Sequence, residues 1–163
     1  MTRLIASFFY TGLLKPAPGT WGSAAAVVVG TLLHVLGGPV LLVPATIVVF
    51  AVGWWATRVE TARGGDADPG WIVIDEVAGQ WIALWPVSIG AAHAGAPVLA
   101  LWPGLLTAFL AFRLFDIWKP GPVGWADALH GPTGVMLDDV AAGLLAAVVV
   151  VIGAGVTHGL LGL

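Results

Sequence analysis

Cysteine is absent from this 163-residue chain, and charge is scarce: Asp, Glu, Lys and Arg together make up 9% of residues. The first absence excludes a disulfide framework, a Cys-ligated zinc or iron–sulfur site and a thiolate nucleophile. The second excludes an ordinary soluble domain, which carries roughly 25% charged residues. Basic surplus is missing as well. With 6 Lys+Arg against 9 Asp+Glu the net charge is −3, so nothing neutralises a phosphate backbone and nucleic acid is not expected as a partner. What fills the chain is apolar: 59% of residues are hydrophobic and the mean hydropathy is +0.98. The membrane bilayer is the expected surrounding.

An ionised side chain in hydrocarbon costs about 3 kcal/mol or more, so the gaps between charges mark the spans. Lys15 and Arg58 enclose 42 uncharged residues, too many for one helix across a core that needs roughly 20. Gly37-Gly38-Pro39 breaks that run near its middle and predicts spans over 22–36 and 40–57. Glu76 and Arg113 enclose 36 uncharged residues, broken by Gly95-Ala96-Pro97, which predicts spans over 77–94 and 98–116. The 24 residues after Asp139 carry no charge and predict a last span over 139–162. The expected fold is all-α: one polytopic helical membrane domain over 1–163, with about five transmembrane helices. Residues 4–14 are apolar but too short to cross and are expected as an interfacial or re-entrant helix.

Five crossings put 1–21, 58–75 and 117–138 on one side, together with every charged residue. Because Arg3, Lys15, Arg58, Arg63, Arg113 and Lys119 all fall there, the positive-inside rule makes that side cytoplasmic and leaves the C-terminus outside. Chemistry that needs ionisable groups belongs at the cytoplasmic face.

Asp75 and Glu76 open the third predicted span, Arg113 and Asp116 close the fourth, and Asp138 and Asp139 open the fifth. Single acids at helix N-termini read as caps favoured by the helix dipole. Capping does not explain the second acid of each pair, nor Asp116 at a C-terminus, where the dipole repels it. Crowded carboxylates of one sign need a cation, and a hard divalent ion such as Mg²⁺ takes oxygen ligands together with phosphate groups. Arg113, Asp116 and Lys119 recur at i, i+3 and i+6. They read either as a structural ion-pair stripe or, beside a metal cluster, as a grip on phosphate oxygens. Lys15 and the turn Pro16-Ala-Pro-Gly-Thr-Trp-Gly-Ser23 form a second anion candidate at a helix N-terminus, where Thr20 or Ser23 equally reads as a cap. His34, His93 and His158 fall in spans or near the outer face and read as packing residues. His130 differs: it lies eight residues before Asp138 in a Gly-containing segment able to fold toward the acids, or else is a solvated loop histidine.

Four segments then carry a resemblance: Gly19-Thr-Trp-Gly-Ser23, Ile74-Asp-Glu-Val-Ala-Gly-Gln-Trp81, Phe112-Arg-Leu-Phe-Asp-Ile-Trp-Lys-Pro120 and His130-Gly-Pro-Thr-Gly-Val-Met-Leu-Asp-Asp-Val-Ala-Ala-Gly143. In order and separation they resemble the phosphatidylglycerophosphatase A family over nearly the whole chain. The resemblance implies a Mg²⁺-dependent enzyme of the bacterial inner membrane. Its substrate would be phosphatidylglycerophosphate, whose terminal phosphate monoester it would hydrolyse to give phosphatidylglycerol and phosphate. It further implies that Asp75, Glu76, Asp116, Asp138 and Asp139 hold the metal. Lys119, Arg113 and Lys15, with Thr20 and Ser23, would then bind phosphate, and Asp116, Lys119, His130, Asp138 and Asp139 would form the catalytic set, with His130 protonating the departing glycerol oxygen.

Other chemistries fit less well. Asp66-Ala-Asp68 echoes the haloacid-dehalogenase phosphatases but lacks their surrounding pattern, and no Ser-Gly-His segment supports a phosphohistidine route. A CDP-alcohol phosphotransferase also clusters Asp around Mg²⁺, yet Asp138-Asp139-Val-Ala-Ala-Gly143 does not supply its motif. A transporter would place ionisable groups near the midplane and show repeats. A scaffold would use small-residue positions such as Gly143 and Ala147 but leave the charged cluster without a task.

Overall fold

The computed structural model describes residues 1–64 and 69–161, with side chains described as far as Thr157 at the C-terminal end. Asp66, Asp68 and the His158 side chain lie outside the described residues. All regular structure among the described residues is helical: α1 (Thr2–Ala6), α2 (Pro18–Gly64), α3 (Ile74–Ala94), α4 (Trp102–Trp118), α5 (Pro122–Asp127) and α6 (Gly131–Leu161), with 3₁₀ turns at Thr11–Leu13 and Val98–Leu101. Three helical stretches are long and apolar enough to cross a membrane: Pro18–Arg63, Val98–Trp118 and Gly131–Thr157.

Helix α2 is two limbs rather than one rod. Gly38 sits at φ 62°, ψ −158°, a conformation open to little besides glycine, and Pro39 follows it without a backbone donor. Contacts along α3 show that the limbs fold back on each other. On the first limb, Gly19 lies against Glu76 and Gly30 against Trp81 and Leu84, while His34 Nδ1 is 2.7 Å from Ser88 Oγ. On the second limb the order reverses, Thr46 meeting Trp85 and Gly53 meeting Ile74. The Gly-Gly-Pro break expected from sequence is therefore the tip of a helical hairpin.

Helix α3 occupies the centre. It buries Val77, Ala78, Trp81, Ala83, Leu84, Val87 and Ala91, whereas α2, α4 and α6 leave Val28, Leu32, Leu106, Leu110, Val148 and Ile152 exposed on the outside. Such an apolar exterior belongs against lipid rather than water. Indole N–H groups inside the bundle find partners, as they must where water is excluded: Trp81 Nε1 donates to the Ala26 carbonyl at 2.8 Å and Trp85 Nε1 to Thr46 Oγ1 at 3.1 Å.

Glycine sets the tightest crossing. A Cβ on Gly79 of α3 would overlap the Asp139 carbonyl and the Phe112 ring, and one on Gly143 of α6 would overlap the Gly79 backbone. The α3 and α6 backbones touch directly, the small-residue packing that works without a hydrophobic driving force between helices.

The apolar N-terminal stretch does not cross. Five-residue α1 docks at the end where α3 begins: Val73 N–H donates to the Ala6 carbonyl at 2.9 Å, Thr2 Oγ1 pairs with Glu60, and the Arg3 guanidinium lies 5.4 Å from the Trp71 ring centroid. Several boundaries differ from the sequence expectation, among them the second limb of α2, which runs to Gly64 instead of ending at 57. The first long helix starts at Pro18, a favoured first-turn residue, and the last starts at Gly131, about two turns before the acid pair expected to open it.

Candidate active site

Residues from α2, α3, α4 and α6 converge where α3 begins. The Gly79–Gly143 crossing holds α6 so close to α3 that Asp139 faces the first turn of α3. One carboxylate oxygen each from Asp75, Glu76 and Asp139 lies within 4.8 Å of the others. Asp75 and Asp139 are buried, and Glu76 keeps 14% of its side chain exposed. Asp116, from the end of α4, lies within electrostatic reach of both Glu76 and Asp139.

Neither acid pair is a conventional cap. Val73, not Asp75, holds the N-cap position of α3, and no side chain caps that end. Asp138 and Asp139 sit inside α6, so the capping reading of Asp138 fails because the helix has already run about two turns. In both pairs the first carboxylate instead accepts the backbone N–H of the second residue, Glu76 N to Asp75 Oδ1 and Asp139 N to Asp138 Oδ1, each at 2.9 Å.

Two cations face five acids. Arg113 Nη1 is 2.7 Å from Asp116 Oδ2, 3.9 Å from Glu76 Oε1 and 3.3 Å from Ser23 Oγ. Lys119 Nζ is 2.8 Å from Asp138 Oδ2 and also pairs with Asp127. Burial alone would lower the Lys119 ammonium, but the hydrogen bonds and charges of Asp127 and Asp138 outweigh it and hold it above the usual lysine range, so it is charged at neutral pH. The stripe expected from the spacing 113, 116, 119 is broken at its end. Lys119 caps α4 in a left-handed conformation, φ 50°, and reaches across to α6 while Arg113 and Asp116 pair with each other.

Asp75, Glu76, Asp116, Asp138 and Asp139 exceed Arg113 and Lys119 by three formal negative charges even before Asp127 is counted, in a place with little water to screen them. Glu76 Oε2 and Asp139 Oδ1 are buried with no hydrogen-bond partner in the protein. Unpaired buried carboxylate oxygens are costly unless a cation claims them, and an all-oxygen donor set suits a hard divalent ion. The residues present fit Mg²⁺.

The remaining expected site residues sit at the margin. Ser23 is buried, donates to the Gly19 carbonyl at 2.8 Å and steadies Arg113. Thr20 is half-buried in the first turn of α2, and Lys15 is exposed before it. Gly19 presses on Glu76 and Arg113, where a Cβ would overlap Glu76 Oε1, so the Gly-rich turn does border the site. His130 is exposed at the turn before α6, where its backbone N–H donates to the Asp127 carbonyl at 3.1 Å. Among the described residues no hydrogen bond joins the His130 ring to the acids. Sequence reasoning passed over Gln80, fully buried one turn beyond Glu76. Its signal was an amide inside an otherwise apolar run. Gly79 was passed over too, although Gly143 four residues past Asp139 hinted at a close crossing.

Residues 4–154 match the family described as Phosphatidylglycerophosphatase A. Phosphatidylglycerophosphatase A of Haemophilus influenzae is 40% identical over 149 residues, covering 91% of this chain and 85% of the relative. Its namesake from Escherichia coli K12 is 33% identical over 147 residues, covering 89% and 78%. A Bacteroides thetaiotaomicron protein named "Putative phosphatidylinositol-3-phosphatase" is 34% identical over 155 residues, covering 91% of each. No solved structure matches the chain.

Proposed function

The chain belongs to the phosphatidylglycerophosphatase A family, and from that premise we infer how its residues carry out the family's reaction. The enzyme hydrolyses phosphatidylglycerophosphate to phosphatidylglycerol and inorganic phosphate. The observation that carries the mechanistic reading is the meeting of Asp75, Glu76 and Asp139 oxygens within 4.8 Å, two of those side chains having an unpartnered oxygen.

In this reading Asp75, Glu76 and Asp139 hold Mg²⁺, with Asp116 and Asp138 completing the negative wall around it. When bound, the ion polarises the phosphoryl group and offsets charge on its oxygens. Arg113 and Lys119 flank the cluster and stabilise the equatorial phosphate oxygens as charge spreads over them. Water attacks phosphorus and gives up a proton to a carboxylate of the acid wall, a new P–O bond forms, and the ester P–O bond breaks with its electrons left on the glycerol oxygen. That oxygen takes a proton, and His130 is the donor we assign. The contacts from the His130 backbone through Asp127 and Lys119 to Asp138 tie the histidine turn to the acids, which supports that assignment. Lys15 and Thr20, at the mouth of the Gly-rich turn, meet the headgroup as it arrives.

Membrane placement follows the charges. With the α2 limbs counted separately and α3 enclosed by them, five helical segments run between two faces, and the acids lie at the face that also holds α1. We assign that face to the cytoplasm, because all six Lys and Arg residues lie on its side of the chain. The acyl chains of the lipid then stay in the bilayer while its phosphate meets the acids at headgroup depth.

The test is phosphate release by the purified protein in mild detergent from phosphatidylglycerophosphate and from phosphatidylinositol 3-phosphate, each with Mg²⁺ and with EDTA. Release from the first lipid that EDTA abolishes is expected. Release unaffected by EDTA would remove the metal reading. Faster release from the inositol lipid would move the substrate toward the activity named for the Bacteroides relative.

A further inference from the structure

Gln80 is fully buried, and neither its Oε1 nor its Nε2 has a hydrogen-bond partner in the protein. Other polar side chains farther along α3 are satisfied: Trp81 by Ala26, Trp85 by Thr46 and Ser88 by His34. A leucine or methionine would fill the Gln80 position without an unmet amide, so packing does not account for a glutamine there.

Geometry directs this amide at the acids. Gln80 follows Glu76 by four residues and shares its helix face. Helical side chains lean toward the N-terminus of their helix, a tendency that favours a carboxamide at position 80 set toward the turn that carries Glu76. The adjacent Gly79 is where the Asp139 backbone presses on α3, which sets Asp139 at the same level. Gln80 and Glu76 on α3 and Asp139 on α6 thus carry buried polar atoms without a protein partner on two helices in direct contact.

Resting on the metal reading above, we propose that Gln80 is a positioning residue whose carboxamide hydrogen-bonds the hydration shell of the divalent cation held by Glu76 and Asp139. Magnesium-type ions retain several waters, and groups that hold such outer ligands fix how the ion sits. Gln80 closes the bilayer-side wall of the site and holds the shell toward the phosphate.

Binding of Mn²⁺, read by electron paramagnetic resonance on the full-length protein in detergent, tests this together with thermal unfolding in EDTA. Wild type is expected to bind Mn²⁺ and Asp139→Asn to lose it. Gln80→Leu is expected to bind about tenfold more weakly or worse, with a metal-free unfolding temperature that does not fall, and Gln80→Glu is expected to regain affinity through its retained acceptor. Should Gln80→Leu not fold, Gln80→Met takes the same test. Mn²⁺ affinity within about twofold of wild type in the apolar variant overturns the proposal, as does a loss matched by equal metal-free destabilisation, which would make Gln80 a packing residue. Wild-type protein that takes up no Mn²⁺ overturns the metal reading itself.

Discussion

Lys119 is tied to Asp138 at 2.8 Å, and Asp138 is a buried acid beside three others with no second cation of its own. Replacing Lys119 with methionine leaves that carboxylate facing like charges and, under the proposed mechanism, removes a positive group from the transition-state oxygens. A drop in kcat of about a hundredfold is expected, with Lys119→Arg recovering part of it because a guanidinium still pairs with carboxylate and phosphate. Steady-state phosphate release by the two variants checks this, and an unchanged Lys119→Met rate would place the lysine outside the site. The charged residues were legible in sequence for a simple reason: in so apolar a chain each charge must have a partner or a surface, so paired acids stand out. Lys119 was legible as a cation beside the acids but not as the partner of Asp138, because its left-handed backbone turns it off the helical stripe that the spacing implied. Gln80 carries no charge, and only its burial without partners sets it apart.

At the scale of elements, the site depends on how closely α3 and α6 approach. Gly79→Ala forces a methyl group into the Asp139 carbonyl and the Phe112 ring, and overpacking of this kind costs about 1–3 kcal/mol. Loss of most activity is expected with a lower unfolding temperature, since Asp139 is pushed away from Asp75 and Glu76. Gly90→Ala on the same helix meets nothing within 4 Å and is expected to be neutral or mildly stabilising, alanine being favoured over glycine in helices by about 1 kcal/mol. Thermal unfolding and phosphate release of both variants decide it, and equal behaviour of the two would contradict the crossing argument. The hairpin in α2 could be read from Gly37-Gly38-Pro39 because backbone chemistry at that point is local. The start of α6 could not. Gly131 and Pro132 read as loop, yet proline suits the first helical turn, and the acid pair looked like the start of a span because burial by neighbouring helices is invisible along one chain.

For the whole molecule, the native absence of cysteine makes topology directly measurable. Single substitutions Ala94→Cys, at the far end of α3, and Trp125→Cys, in α5 on the acid side, should label oppositely with a membrane-impermeant maleimide applied to intact cells. Ala94→Cys is expected to react and Trp125→Cys to stay unlabelled until the membrane is opened, while the reverse pattern would invert the assigned orientation. Composition alone carried the membrane assignment, since no water-soluble core could hide this much apolar surface. It could not say that α3 lies inside the other helices, because enclosure depends on which faces meet. The central claim is that Asp139, held against α3 by glycine contacts, completes the site that hydrolyses the lipid phosphate. The measurement that tests it most directly is inorganic phosphate released from phosphatidylglycerophosphate with Mg²⁺ by wild type and by Asp139→Asn, each first shown to be helical and monodisperse. At least about a hundredfold loss in the variant is predicted, and a rate near wild type in folded Asp139→Asn would contradict it.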